Sequence, residues 1–101
     1  MIVYNITLKI LYEIENEWLE WQKGEHIPAV MATDLFSEYK FYKLLDQDDS
    51  DGPTYVIQYF TSTLEKYHLY IKDFASQLRQ EAIAKWGDRF VAFRTLLQVV
   101  D

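Results

Sequence analysis

Cysteine is absent from this chain of 101 residues, which excludes disulfides and thiolate metal sites and fits a reducing compartment. Glycine is scarce, with only Gly24, Gly52 and Gly87, so no phosphate-cradling loop of Walker or Rossmann type can be built. No serine stands in a nucleophile elbow. Basic residues are outnumbered, 10 Lys and Arg against 16 Asp and Glu for a net charge of -6, which argues against a nucleic-acid backbone or an anionic membrane surface as partner. No apolar run of about 18 residues exists to span a membrane. The N-terminal MIVYNITLKI lacks a basic stretch ahead of its apolar residues and does not read as a signal peptide. A single cytoplasmic domain without metal or cofactor is the expectation. The Asn5-Ile6-Thr7 sequon is then an accidental match.

What the chain has in quantity is aromatic area: eight Tyr, six Phe and three Trp. A domain this small has difficulty hiding all of that surface in one core. A second buried surface is implied.

Hydrophobic period sets the element order. From Ile2 to Tyr12 the even positions Ile2, Tyr4, Ile6, Leu8, Ile10 and Tyr12 are apolar while Asn5, Thr7 and Lys9 interrupt the odd ones, the alternation of a strand. Asn16 then reads as the cap of a helix, with Glu17 and Glu20 near its positive end. Gly24 and Pro28 weaken that helix, and a kink or an end between Glu25 and Ile27 follows because proline lacks the N–H that the fourth carbonyl back requires. Leu35 to Leu45 reads as a second strand, with Leu35, Tyr39 and Phe41 on one face and Phe36, Tyr42 and Leu44 on the other. The loop Asp46 to Pro53 has turn chemistry throughout and leads into a strand from Thr54 to Thr61 with apolar bulk on both faces. It is no calcium loop: with Gly52 at the sixth position, Gln58 stands where a bidentate Glu is required.

Ser62 and Glu65 form an S-x-x-E capping box that opens a second helix. Leu64, Tyr67, Ile71, Phe74, Leu78, Ala82 and Trp86 give it a core stripe, and Gly87 stops it. A last strand covers Arg89 to Val100, with Val91, Phe93, Leu97 and Val99 opposite Arg94 and Gln98. The order β-α-β-β-α-β defines an α+β, ferredoxin-like sandwich, whose antiparallel sheet runs 4-1-3-2 with both helices on one face. Covering the other face with a second copy makes a homodimer, a dimeric α/β barrel.

The candidate site lies on the first helix. On a wheel, Gln22 and His26 fall within the arc that carries Trp18, Leu19, Ala29 and Val30. Polar groups there must find partners or line a wet recess, because an unpaired buried one costs about 1–3 kcal/mol. His26 is therefore either a structural histidine bonded to a carbonyl that Pro28 leaves free, or a ligand-facing donor or acid/base. Asn5 and Arg94 are secondary pocket candidates. His68 lies beside the second helix's stripe and carries little weight; two histidines without a thiolate make a poor metal site.

Three segments, MIVYNITLKI, EWLEWQKGEHIPAVMATDLF and GDRFVAFRTLLQVV, resemble an uncharacterised bacterial domain-of-unknown-function family of the dimeric α/β-barrel superfamily. The resemblance implies a ferredoxin-like monomer that pairs sheet to sheet, and it brings no activity. The wider superfamily includes cofactor-independent monooxygenases, haem-degrading enzymes and muconolactone isomerases, with pockets between sheet and helices. The haem-degrading pattern implies an Asn on strand 1, a Trp on strand 3 and a His on helix 2. Asn5 and His68 are similarly placed, but strand 3 has Tyr55 and Tyr59 and no Trp.

Three functions remain open: a homodimer binding a small aromatic ligand through Trp18, Gln22, His26, Asn5 and Arg94; a cofactor-independent monooxygenase or isomerase with His26 as acid/base; and a purely structural dimerisation module. Saturated Gln22 and His26 side chains, with no cavity of about 300 Å³ beside them, favour the last.

Overall fold

Alternation along the first strand, β1 (Ile2–Ile10), places Tyr4, Leu8 and Ile10 in the core. The computed structural model describes residues 1–101. After β1 come a 3-10 turn (Tyr12–Ile14), α1 (Glu15–Trp21), a π-helical turn (Gln22–His26) and α2 (Ile27–Met31), forming one continuous helix. β2 (Glu38–Lys43) and β3 (Thr54–Thr61) follow. The second continuous helix comprises α3 (Leu64–Tyr70), a π turn (Ile71–Ala75) and α4 (Ser76–Trp86), and β4 (Phe90–Gln98) closes the sheet. The sheet order is β2-β3-β1-β4, all neighbours antiparallel. This is the ferredoxin-like arrangement that the element order implies.

Several local expectations are corrected. Asn16 lies inside α1 and caps nothing; the 3-10 turn leads into the helix instead. The helix neither ends nor breaks between Glu25 and Ile27. Its backbone takes one extra residue per turn, so that the Ile27 N–H reaches back to the Gln22 carbonyl. Pro28, which has no N–H to offer, falls at the start of α2, where a missing donor costs least. The buried positions Ile14, Trp18, Gln22, Ile27 and Val30 are therefore spaced four, four, five and three apart.

The second helix repeats the device. Its π turn advances the buried face by one residue, which leaves Phe74 38 % exposed and buries Ala75 in its place at 1 %. Its cap is Thr63, one residue beyond the expected serine, whose Oγ1 accepts the Lys66 N–H at 3.2 Å. Gly87 ends the helix at φ +61°, a conformation that suits glycine, with its N–H on the Ile83 carbonyl at 2.8 Å. Leu35 and Phe36 do not belong to β2. Asp34 turns the chain at positive φ, and Phe36 folds beneath the helices against Tyr4, Tyr59 and Tyr70.

Register fixes which side chains meet. On the helix-covered face Ile6 stands opposite Ile57 on one side and Arg94 on the other. On the bare face Asn5 stands opposite Gln58 and Thr95, accepting from Gln58 Nε2 at 3.1 Å and donating to Thr95 Oγ1 at 3.3 Å. The middle of that face is thus polar at Asn5, Gln58 and Thr95, although the sequence pattern predicts apolar bulk on both faces of β3. Around it Tyr42, Val91, Phe93 and Leu97 remain exposed, Phe93 to 64 %.

Candidate functional site

The recess between the two helices and the sheet forms because three elements each contribute a polar group to an apolar wall. The π turn supplies Gln22 and His26, α4 supplies Arg79, and β4 supplies Arg94. Trp18, Trp21, Ile57, Tyr59, Trp86 and Phe90 are among the remaining lining residues. The enclosed part leaves about 40 Å³ for the centres of water molecules, room for roughly two or three waters. At its mouth a groove of about 260 Å³ shares Arg79, Ala82, Phe90 and Arg94 with it and continues past Ile83, Gly87 and Ala92.

The polar groups here are not saturated. Gln22 is only 2 % exposed and its Oε1 has no hydrogen-bond partner. The Tyr59 hydroxyl and the Trp86 Nε1–H, on two further lining residues, are likewise buried without partners. The cavity is smaller than the 300 Å³ set above, while the requirement of unsaturated side chains is met at Gln22.

His26 stacks on Trp21, ring centroids 4.6 Å apart and 25° from parallel. Burial lowers its pKa from 6.5 to about 4, helped by the Arg94 charge and opposed by Glu81. No hydrogen bond contributes to that shift, and packing on an indole holds the ring where a bond to a carbonyl near Pro28 was one alternative. At neutral pH the imidazole is uncharged and can accept a proton.

Arginine is the notable charge. Arg79 donates from Nη2 to the Tyr4 hydroxyl at 2.8 Å. Neither Arg79 nor Arg94 has a carboxylate within ion-pair distance; the one ion pair in the chain is Lys43 with Glu15 at 3.8 Å. Trp18, Gln22, His26 and Arg94 thus come together around the recess, and Asn5 does not. Alternation places Asn5 on the opposite face of the sheet, where it is tied to Gln58 and Thr95. His68 is exposed on α3 beside Tyr67. The sequence reading missed Arg79, whose signal was a lone arginine one residue after Leu78 in the core stripe. It also missed Tyr59 and Trp86 as pocket groups, since nothing in a sequence says which buried hydroxyl or indole lacks a partner. No group of three or more His, Asp or Glu side chains is arranged to hold a metal ion, and no helix is long and apolar enough to cross a membrane.

Comparison with known proteins assigns the class. Residues 1–100 match the family model described as Domain of unknown function (DUF4286); the chain belongs to that family. The fold is shared with solved structures of low sequence identity. A dimeric ferredoxin-like protein from an uncultured marine organism superposes with a TM-score of 0.70 at 8 % identity, covering 99 % of this chain and 96 % of its own. An ethyl tert-butyl ether d (ethd) family protein from Bacillus halodurans gives 0.69 at 14 % identity, covering 99 % and 100 %. SnoaB, a cofactor-independent oxygenase from Streptomyces nogalater, gives 0.69 at 10 % identity, covering 99 % and 94 %. No curated protein matches the sequence.

Proposed function

We propose that this protein is a homodimer that binds a small aromatic molecule in the recess beneath Gln22 and His26. One observation carries the reading: Gln22, Tyr59 and Trp86, each with a buried polar atom that has no partner, line the same cavity. Three unpaired groups together cost several kcal/mol, a cost that an occupant with complementary polar atoms removes. Four aromatic side chains, Trp18, Trp21, Trp86 and Phe90, offer the apolar surface for the rest of such a molecule. Pairing through the bare sheet face is supported by exposed Val91, Phe93 and Leu97 around the polar centre and by the dimeric ferredoxin-like protein that shares the fold.

Mass spectrometry of the protein in its native, undenatured state tests the pocket: a co-purifying small molecule, lost in Gln22→Leu, is expected. Light scattering tests the pairing, and a monomer at micromolar concentration contradicts it. A second reading, a cofactor-independent oxygenase or isomerase, is favoured by an uncharged His26 beside the cavity. There His26 takes a proton from a phenol or enol. That reading predicts turnover of some quinol or enol lactone that disappears in His26→Ala with the dimer intact, and a broad screen without turnover by the wild type removes it.

A further inference from the structure

Within a chain of net charge -6, two arginines without carboxylate partners share one recess. Arg79 comes from α4 and Arg94 from β4, elements far apart in sequence that the fold brings to the same mouth. No Asp or Glu lines the cavity or the groove outside it. Of the other polar groups, the Trp86 indole can only donate, while the Tyr59 hydroxyl and the Gln22 amide can present a donor to an acceptor. The lining therefore sets two cations, an indole N–H and a hydroxyl against two neutral acceptors, Gln22 Oε1 and a His26 ring nitrogen. Resting on the small-molecule reading above, we infer that the ligand is a planar carboxylate, its acid group held at Arg79 and Arg94 and its ring lying along the aromatic wall.

Size agrees with this division. The enclosed space suits a head group of two or three non-hydrogen atoms, and the adjoining groove of about 260 Å³ takes the rest. Guanidinium groups match a carboxylate geometrically, with parallel N–H donors meeting both oxygens. Arg79 is preset for the task, since its bond to the Tyr4 hydroxyl holds one end of the guanidinium and leaves the other N–H groups available. The buried Trp86 indole and Tyr59 hydroxyl gain an acceptor to face, and Gln22 Oε1 is left for a donor elsewhere on the ligand, such as a ring hydroxyl.

Isothermal titration calorimetry of the full chain with 4-hydroxybenzoate and with its uncharged isostere 4-hydroxybenzamide tests the inference. The acid is expected to bind roughly tenfold or more tightly than the amide, as a charge-assisted contact is worth about that factor. Arg94→Gln, at a position exposed enough to leave folding intact, is expected to erase the preference, and Arg94→Lys to restore part of it. Equal affinity for the two probes overturns the carboxylate assignment and leaves the pocket standing. A preference that survives in Arg94→Gln overturns the role of that arginine. Absence of binding by either probe at millimolar concentration overturns both the inference and the pocket reading beneath it.

Discussion

Replacing Gln22 by leucine is the sharpest test of the recess, because the binding and structural readings give opposite signs for it. Gln22 is buried with Oε1 unpaired, and such an oxygen costs about 1–3 kcal/mol of stability. Leucine removes that cost at nearly equal volume. Its branched shape returns a penalty of less than about 1.5 kcal/mol. The net expectation is a gain of about 1 kcal/mol, which in a domain of this size raises Tm by about 4–8 °C. A water held in the cavity by Oε1 moves the result toward zero without reversing it. Gln22→Ala instead leaves a hole, so the stability order is Leu, wild type, Ala. Urea unfolding of the proteins freed of any bound small molecule, at one fixed protein concentration, measures this, with equal m-values checked across the variants. A loss of more than about 1 kcal/mol in Gln22→Leu means that the amide has a protein partner in solution, and the argument for an occupant then fails. Gain of stability with loss of ligand is the expected signature of a binding residue.

Three further outcomes follow from the geometry. Because the His26 pKa falls from 6.5 unfolded to about 4 folded, its share of stability is complete above pH 6.5 and is lost as pH drops toward 4. That loss is at most roughly 3 kcal/mol. Glu81 and Arg94 are the charged groups that bear on it. Urea curves for wild type and His26→Gln between pH 4 and 7 should converge in slope only above pH 6.5; parallel curves throughout contradict a buried neutral imidazole. Thr63→Ala is expected to cost about 1 kcal/mol while Ser62→Ala costs almost nothing, and the reverse ranking by thermal melting assigns the cap to the serine after all. Phe93→Glu, on the bare sheet face, is expected to shift the light-scattering mass to that of a monomer with the helix signal in circular dichroism unchanged.

The order of elements, the placement of Arg94 opposite the apolar residues of β4, and Gln22 on the buried arc of the first helix were legible in the sequence, because each depends on local period. A period of two places Arg94 opposite Val91, Phe93 and Leu97 within β4, but only the pairing register puts it on the same side of the sheet as Ile6 and Ile57. The same rule places Asn5 on the other side from Ile6, so its exclusion from the pocket was available from the alternation once the helix side was fixed. Phe36 was not legible, since the turn at Asp34 resets the alternation upstream of β2. Phe74 and Ala75 exchange roles for a related reason: a stripe drawn at 3.6 residues per turn cannot anticipate an inserted residue. The pairing state of Tyr59, Trp86 and Arg79 is a tertiary property that no periodicity encodes.

Both inserted residues lie in mid-helix, and the first of them builds the recess. In a regular helix the buried residue after Gln22 would be His26, one turn on, with Pro28 lacking a donor deeper inside. The five-residue turn instead hands the buried position to Ile27. His26 is thereby moved to the margin of the cavity, half buried against Trp21, where its ring stays uncharged yet reachable. Pro28 supplies the local reason for the irregularity, and Gly24, with open space around its Cα, supplies no side chain to resist it. Deleting Gly24 is therefore expected to restore a regular helix in which Gln22 and Ile27 stand four residues apart, both still facing the sheet. Trp18 and Gln22 then keep their place in the core while His26 loses the wide turn that sets it at the margin of the cavity, so the deletion should leave the fold intact and weaken ligand binding. Gly24→Ala, which keeps the residue count and meets nothing within 4 Å, should leave binding intact. A deletion variant that binds as tightly as the wild type would show that the extra residue has no part in forming the site.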